Sequence, residues 1–115
     1  MPLLRLETNA RVDDELCERL HVELADLVGQ LLNKSKDYVQ IVISTGVHMS
    51  FGGETAPTAH VQLISLGLPS DFCKDICRSL TLSISENLKI DPKRIYISVT
   101  DWPRSHWSWD GKTFG

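Results

Sequence analysis

Cysteine is scarce in this sequence. Only three occur among 115 residues, and Cys17, Cys73 and Cys77 cannot all pair within one chain. So low a count argues against a disulfide framework and for reduced, buried thiols. Cys73 and Cys77 stand four apart, on one face of a helix, and make no C-x-x-C redox pair. The four histidines, His21, His48, His60 and His106, have no metal-ligand spacing to the cysteines, so neither a metal nor another cofactor is expected. Excess basic charge is lacking too. Twelve Lys and Arg against fifteen Asp and Glu leave a net charge of -3 and no basic stripe for nucleic acid. No apolar run approaches the length needed to cross a bilayer, which argues against a membrane partner. The opening Met-Pro-Leu-Leu-Arg has no charged-then-apolar secretory layout. A cytoplasmic protein is expected, with export only by a non-classical route.

What the chain does have is an ordinary globular balance, 42% hydrophobic and 23% charged, and a hidden repeat. Sliding the sequence against itself until Leu16 meets Phe72 also brings Leu20 onto Ile76, Leu24 onto Leu80, Val28 onto Ile84 and Leu32 onto Leu88. The same shift sets Val39 on Ile95, Ile41 on Ile97 and Ile43 on Val99. The first series is spaced by four, as in the buried stripe of an amphipathic helix. The second alternates, as a half-buried strand does. Two strand-helix-strand units are implied. The expected fold is α/β: two β-α-β repeats forming one four-stranded mixed sheet with two helices on one face. Residues 1–115 read as a single domain, with units at about 2–45 and 58–101 and a C-terminal tail at 102–115.

Local signals set the boundaries. Asp13, Asp14 and Glu15 put negative charge at the start of the first helix, and Pro69-Ser70-Asp71 does so for the second, with Ser70 as N-cap. Lys34 and Lys36 come after the first helix, and Asp91-Pro92 stops the second. Gly46 and Gly52-Gly53 read as a flexible connection between the units. Strands are expected at about 3–8, 38–45, 58–67 and 94–101, parallel within each unit. One sheet face carries Leu4, Leu6, Ile41, Val61 and Ile97 and their alternating neighbours. The other carries Arg5 and Glu7, Tyr38 and Gln40, His60 and Gln62, Tyr96 and Ser98. Two helices cover only the first, so other copies of the chain are expected to cover the second. All three tryptophans, Trp102, Trp107 and Trp109, fall in the tail with Phe114, either as a hairpin packing on its own domain or a neighbour or as the wall of a ligand pocket.

Several motifs align in order along the chain. It starts Met-Pro; Thr8-Asn9 closes the first strand; Lys34 lies four residues before Tyr38. Met49-Ser50-Phe51-Gly52-Gly53 precedes Pro57, Ser65 and Gly67, and Ile90-Asp91-Pro92-Lys93-Arg94-Ile95-Tyr96-Ile97 leads to Trp109 and Thr113-Phe114. In these features the chain resembles, over essentially its whole length, the macrophage migration inhibitory factor family of the tautomerase superfamily. The resemblance implies a homotrimer in which sheets surround a central channel and each active site lies between neighbouring subunits. It implies a keto-enol tautomerase of phenylpyruvate or dopachrome isomerase type whose base is the N-terminal proline, here Pro2 once Met1 is removed. With Met1 retained, Pro2 is an amide and no base.

The implied substrate is a small aromatic keto acid. By resemblance Lys34 holds its carboxylate together with the backbone amide of Leu66. Tyr96 and Ser98 come from the adjacent subunit, Trp107, Trp109 and Phe114 line the wall, and Tyr38 is a further substrate-binding residue. An α-amino group titrates near 8, and both burial and a nearby ammonium lower it, leaving a neutral base. The chain also departs from the family. Asn33-Lys34-Ser35 stands where Gly-Lys-Pro is usual, Ser98 where the mammalian cytokine has asparagine, and Trp107 where it has a small aliphatic residue. The mammalian C-x-x-C falls on Thr58-Ala59-His60-Val61, so thiol oxidoreductase activity does not carry over. The alternative reading is a cytokine-like signalling or host-modulating protein that keeps a residual tautomerase pocket.

Overall fold

The computed structural model describes residues 1–68, 71 and 73–115. The chain runs β1 (Leu3–Thr8), α1 (Asp14–Leu32), β2 (Gln40–Ser44), β3 (Ala59–Ser65), α2 (Cys73–Leu88) and β4 (Ile95–Asp101). Two-residue strands β5 (Ser108–Trp109) and β6 (Lys112–Thr113) close it. Short 3-10 turns cover Lys36–Tyr38, Pro92–Arg94 and Arg104–His106. The sheet order is β2-β1-β3-β4, with β1 parallel to β2, β3 parallel to β4, and β1 antiparallel to β3. That is the mixed four-stranded sheet the two repeats require.

The repeat's apolar stripes are the core. Leu20, Leu24 and Val28 of α1 and Ile76, Leu80 and Ile84 of α2 are buried against Leu4, Leu6, Val61 and Leu63. Fully burying such a side chain is worth about 1.5–3 kcal/mol. On the opposite face Arg5, Gln40, Tyr96 and Ser98 are exposed, while Glu7 and His60 approach to 3.8 Å. No helix among the described residues is long and apolar enough to cross a membrane.

The structure departs from the sequence expectations at several points. β2 begins at Gln40, because Ser35 accepts from the Asp37 N–H (3.2 Å) and winds Lys36–Tyr38 into a 3-10 turn; Tyr38 is therefore not a strand residue. β3 stops at Ser65, as Gly67 turns the chain at φ +66° with its N–H bonded to Asp101 Oδ1 at 2.9 Å. The cysteines are free but half-buried, not buried. Burial, and then Cys73, push the Cys77 thiol up, away from reactivity. Gly52 and Gly53, at φ +61° and +79°, build a tight turn closed by reciprocal Phe51–Glu54 backbone bonds, not a loose link. Ser70, Pro69 and Phe72 lie outside the described residues, and the cap expected of Ser70 with them.

Both ends of α1 are fixed by specific contacts, and the second of them places Lys34. Asp13 caps the start, accepting from the Leu16 N–H at 2.8 Å. At the other end Asn33 takes the left-handed conformation usually given to glycine, and Lys34 N–H returns to Gly29 O at 2.8 Å. A β-carbon on Gly29 would stand 2.9 Å from Lys34 O and 3.3 Å from Lys36 N, both backbone atoms. Gly29→Ala is therefore expected to destabilise the protein by a net of about 1–2 kcal/mol, overpacking outweighing the helix propensity gained. Urea unfolding measures it; a midpoint at or above wild type would show that the Lys34–Lys36 turn gives way freely.

Candidate functional site

Pro2 is buried at the head of β1, the strand flanked on both sides by others. Its carbonyl accepts from Gln40 N–H at 3.0 Å, so the chain's first residues continue the β1–β2 ladder. Above them opens a cavity of about 360 Å³ lined by Met1, Pro2, Tyr38, Gln40, Trp107 and Trp109, among others. The Tyr38 and Trp109 rings meet edge to face, centroids 5.9 Å apart at 89°.

The C-terminal hairpin supplies the far wall. Asp110 and Gly111 both have positive φ, 52° and 76°, the pair a type I′ turn needs between β5 and β6. Phe114 N–H bonds to Arg104 O (3.2 Å) and Trp107 O (3.1 Å), and Arg104 Nε returns to Phe114 O at 3.1 Å. These bonds tie the tail into one unit and set the half-buried Trp107 against the cavity. Phe114, also half-buried, sits in this clasp and is not among the cavity-lining residues.

Electrostatics depend on the same placement. The terminal amine, here on Met1, is held below its ordinary value first by burial, then by the charges of Lys34 and Arg104. Lys34 itself is exposed on the turn after α1. Lowering an amine's pKa enlarges the neutral fraction that can accept a proton. Among the described residues no cluster of His, Cys, Asp or Glu could hold a metal.

Within one chain the nine sequence-predicted residues do not all meet. Pro2, Tyr38, Trp107 and Trp109 share the cavity, and Lys34 acts on its amine. Leu66 is buried just beyond β3, near the head of β1, where Leu3 pairs with Ile64. Beside it the buried Ser65 Oγ has no hydrogen-bond partner among the described residues. Tyr96 and Ser98 lie apart. In register Tyr96 faces His60 and His60 faces Glu7, which places Tyr96 toward the opposite end of the sheet from Pro2. There it lines a second cavity of about 320 Å³ with Met49, Phe51 and His60.

Sequence reasoning missed Asp37 and Gln40, which line the first cavity, Arg104, whose charge acts on the amine there, and Asn9 and Arg94, which bond to the backbone of Met49 and Phe51 at the second. Arg104 stands three residues before Trp107, where the tail's aromatics are the stronger signal. Asn9 Nδ2 donates to Thr55 O at 2.9 Å, while its Oδ1 accepts from Thr58 N–H at 2.9 Å. In sequence, Thr8-Asn9 marks only a strand end.

Known proteins share this fold. The family model for macrophage migration inhibitory factor matches residues 1–115. A macrophage migration inhibitory factor homolog of Trichinella spiralis is 33% identical over 99% of this chain and 100% of its own length. The crystal structure of a homologue from Prochlorococcus marinus superposes with a TM-score of 0.92 at 32% identity, covering 98% of this chain and 99% of that one. The Trichinella spiralis structure gives 0.88 at 29% identity over 97% and 99%. With its whole length matched and its β2-β1-β3-β4 sheet shared, the chain belongs to the macrophage migration inhibitory factor family, within the tautomerase superfamily.

Proposed function

We propose that this protein is a keto-enol tautomerase acting on small aromatic keto acids of the phenylpyruvate type, with Pro2 as general base after Met1 is removed. The observation that carries the reading is the buried Pro2 at the floor of an aromatic-lined cavity, next to a terminal amine, here on Met1, that burial, Lys34 and Arg104 hold below its ordinary value. Loss of Met1 passes the free amine to Pro2, converting an inert amide nitrogen into a secondary amine. Pro2 then takes a proton from the benzylic carbon of the keto form and returns one to the enol oxygen; the reverse reaction runs through the same two positions. Lys34 and the Leu66 amide hold the carboxylate, while Tyr38, Trp107 and Trp109 form the aromatic wall and Phe114 clasps the tail behind it. No cofactor takes part.

Tyr96 and Ser98 complete the site from an adjacent subunit in a homotrimer. The exposed row of Arg5, Gln40, Tyr96 and Ser98, which two helices leave uncovered, supports that assembly. Static light scattering at micromolar concentration is expected to return three times the chain mass, and a monomer mass would overturn the shared site. The names of the relatives support a second reading, a cytokine-like or host-modulating role for which the pocket is incidental. It predicts that any such effect survives Pro2→Gly.

The decisive experiment is a phenylpyruvate tautomerisation assay on protein whose mature N-terminus has been verified by mass. Pro2→Gly is expected to lower kcat by about 10²- to 10⁴-fold, the usual contribution of a positioned base. Full activity in that variant, or in protein retaining Met1, would remove Pro2 from the mechanism.

Lys34→Ala is expected to weaken binding of the acid about 10- to 150-fold, the worth of a charge-assisted hydrogen bond, and to leave a methyl ester almost unaffected. Only the neutral amine accepts a proton, so turnover rises with pH through the amine's pKa. Lys34 lowers the terminal amine of the chain that carries Met1, and by the same cause removing its charge is expected to raise the pKa of the Pro2 amine and move the acid limb of the profile to higher pH. Equal losses for acid and ester, with an unmoved profile, would leave Lys34 no part in binding the anion.

A further inference from the structure

Arg94 is the most heavily engaged side chain among the described residues, and nothing in the proposed reaction uses it. It ends the 3-10 turn Pro92–Arg94, where Asp91 caps the turn and accepts from Lys93 N–H at 2.9 Å. Its carbonyl accepts from Thr58 Oγ1 at 2.6 Å, and Thr58 O accepts from the buried Thr8 Oγ1 at 2.7 Å. The backbone of Arg94 is thus moored to β1. From that mooring its guanidinium reaches four carbonyls of one loop: Pro57 (3.0 Å), Ala56 (3.0 Å), Glu54 (3.1 Å) and Phe51 (3.4 Å). Its Cζ also lies 5.4 Å from the centre of the Phe51 ring. The Phe51 ring in turn packs on Tyr96, centroids 4.9 Å apart and planes tilted at 52°. Tyr96 is 66% exposed, and among the described residues Phe51 is the one aromatic ring that touches it.

We infer that Arg94 is a positioning residue for the aromatic end of the neighbouring subunit's cavity: it fixes the Phe51–Pro57 loop and, through the Phe51 ring, sets where Tyr96 stands. The inference rests on the proposed function, in which Tyr96 is lent to an adjacent subunit. It makes one device of two separate stretches of sequence. The tight Gly52-Gly53 turn presents Phe51, and the residue immediately before β4 holds that turn in place from the strand that carries Tyr96. Only a planar fork with five donors can serve four carbonyls and an aromatic face together; an ammonium cannot. Arg94 touches no substrate. Its effect is confined to how well the aromatic ring of a substrate is received, so it belongs to KM and not to kcat.

The test uses the trimeric, Met1-processed protein and three variants: Arg94→Met, Phe51→Leu and the double replacement. Each single change is expected to raise KM for phenylpyruvate about 3- to 10-fold, the worth of one aromatic contact, with kcat within twofold of wild type. The double variant should be no worse than the poorer single one, because both act through the same ring. Arg94→Lys should fail to restore the wild-type KM. Multiplying effects in the double variant, or a fall in kcat with KM unchanged, would overturn the inference. A readout independent of activity is the Tyr96 ring resonance in tyrosine-labelled protein, since the chain has only two tyrosines. Arg94→Met and Phe51→Leu should both shift the Tyr96 signal and leave Tyr38 in place. An unmoved Tyr96 signal in Arg94→Met would overturn the coupling even if KM rose. Wild-type protein with no tautomerase activity would instead sink the proposed reaction, and the ring shifts would still decide whether Arg94 governs Tyr96. If Arg94→Met fails to fold, Phe51→Leu and Arg94→Lys carry the same two measurements.

Discussion

Two helices can cover only one face of a four-stranded sheet, and this constraint governs the molecule. The covered face is closed by Leu20, Leu24, Ile76, Leu80 and Ile84 over Leu4, Leu6, Val61 and Leu63, all nearly inaccessible. The opposite face keeps Arg5, Gln40, Tyr96 and Ser98 in the open. Sheets with parallel pairs seldom leave a face to water, and that is the physical ground for the proposed assembly. The polar residues there are too few to make a solvated surface and too many to make a core. They fit a face that meets copies of itself and still borders water.

The architecture is largely legible in the sequence because each layer carries its own period. A spacing of four marks both helices and alternation marks all four strands, and the shift joining Leu20 to Ile76 predicts two like units without any contact being known. What escapes are features whose cause is long-range. Tyr38 reads as a strand residue because it alternates with Gln40, yet Ser35 winds it into a turn. Gly52-Gly53 reads as loose because glycine is permissive, whereas Asn9 and Arg94, distant in sequence, hold the surrounding carbonyls. Gly29 gives no sign at all. Its need to be glycine comes from the return of the chain at Lys34, a 2.9 Å approach that exists only once α1 has ended.

The candidate site is legible in part, and for a different reason. Pro2, Lys34 and the tail aromatics are identified by resemblance, and the fold then brings Pro2, Tyr38, Trp107 and Trp109 to one cavity. Arg104 escapes because an arginine in a polar turn usually signifies solvation. Here it is clasped by Phe114 and its charge reaches the terminal amine. The departures from the family pattern find local explanations as well. Asn33 adopts the left-handed conformation that glycine would otherwise supply, and Ser35 caps the turn that a proline would otherwise begin. Asn33 and Ser35 thus fix the turn on which Lys34 stands.

The strongest link between fold and chemistry is the separation of two groups within one sheet. Pro2 lies at the head of β1 beside Gln40, whereas Tyr96 is aligned through His60 with Glu7, near the strand's other end. Strands rise about 3.3 Å per residue, so the four steps from Leu3 to Glu7 already span about 13 Å. No side-chain rotation in a single chain closes that gap. A site needing both a base at one end and a tyrosine at the other can be completed only by rotating a second copy until its far end meets the first copy's near end. In the proposed site assembly is thus a condition of catalysis, not an addition to stability. The loop that Arg94 holds then lies at the junction, where one subunit's order determines the fit of the other's substrate.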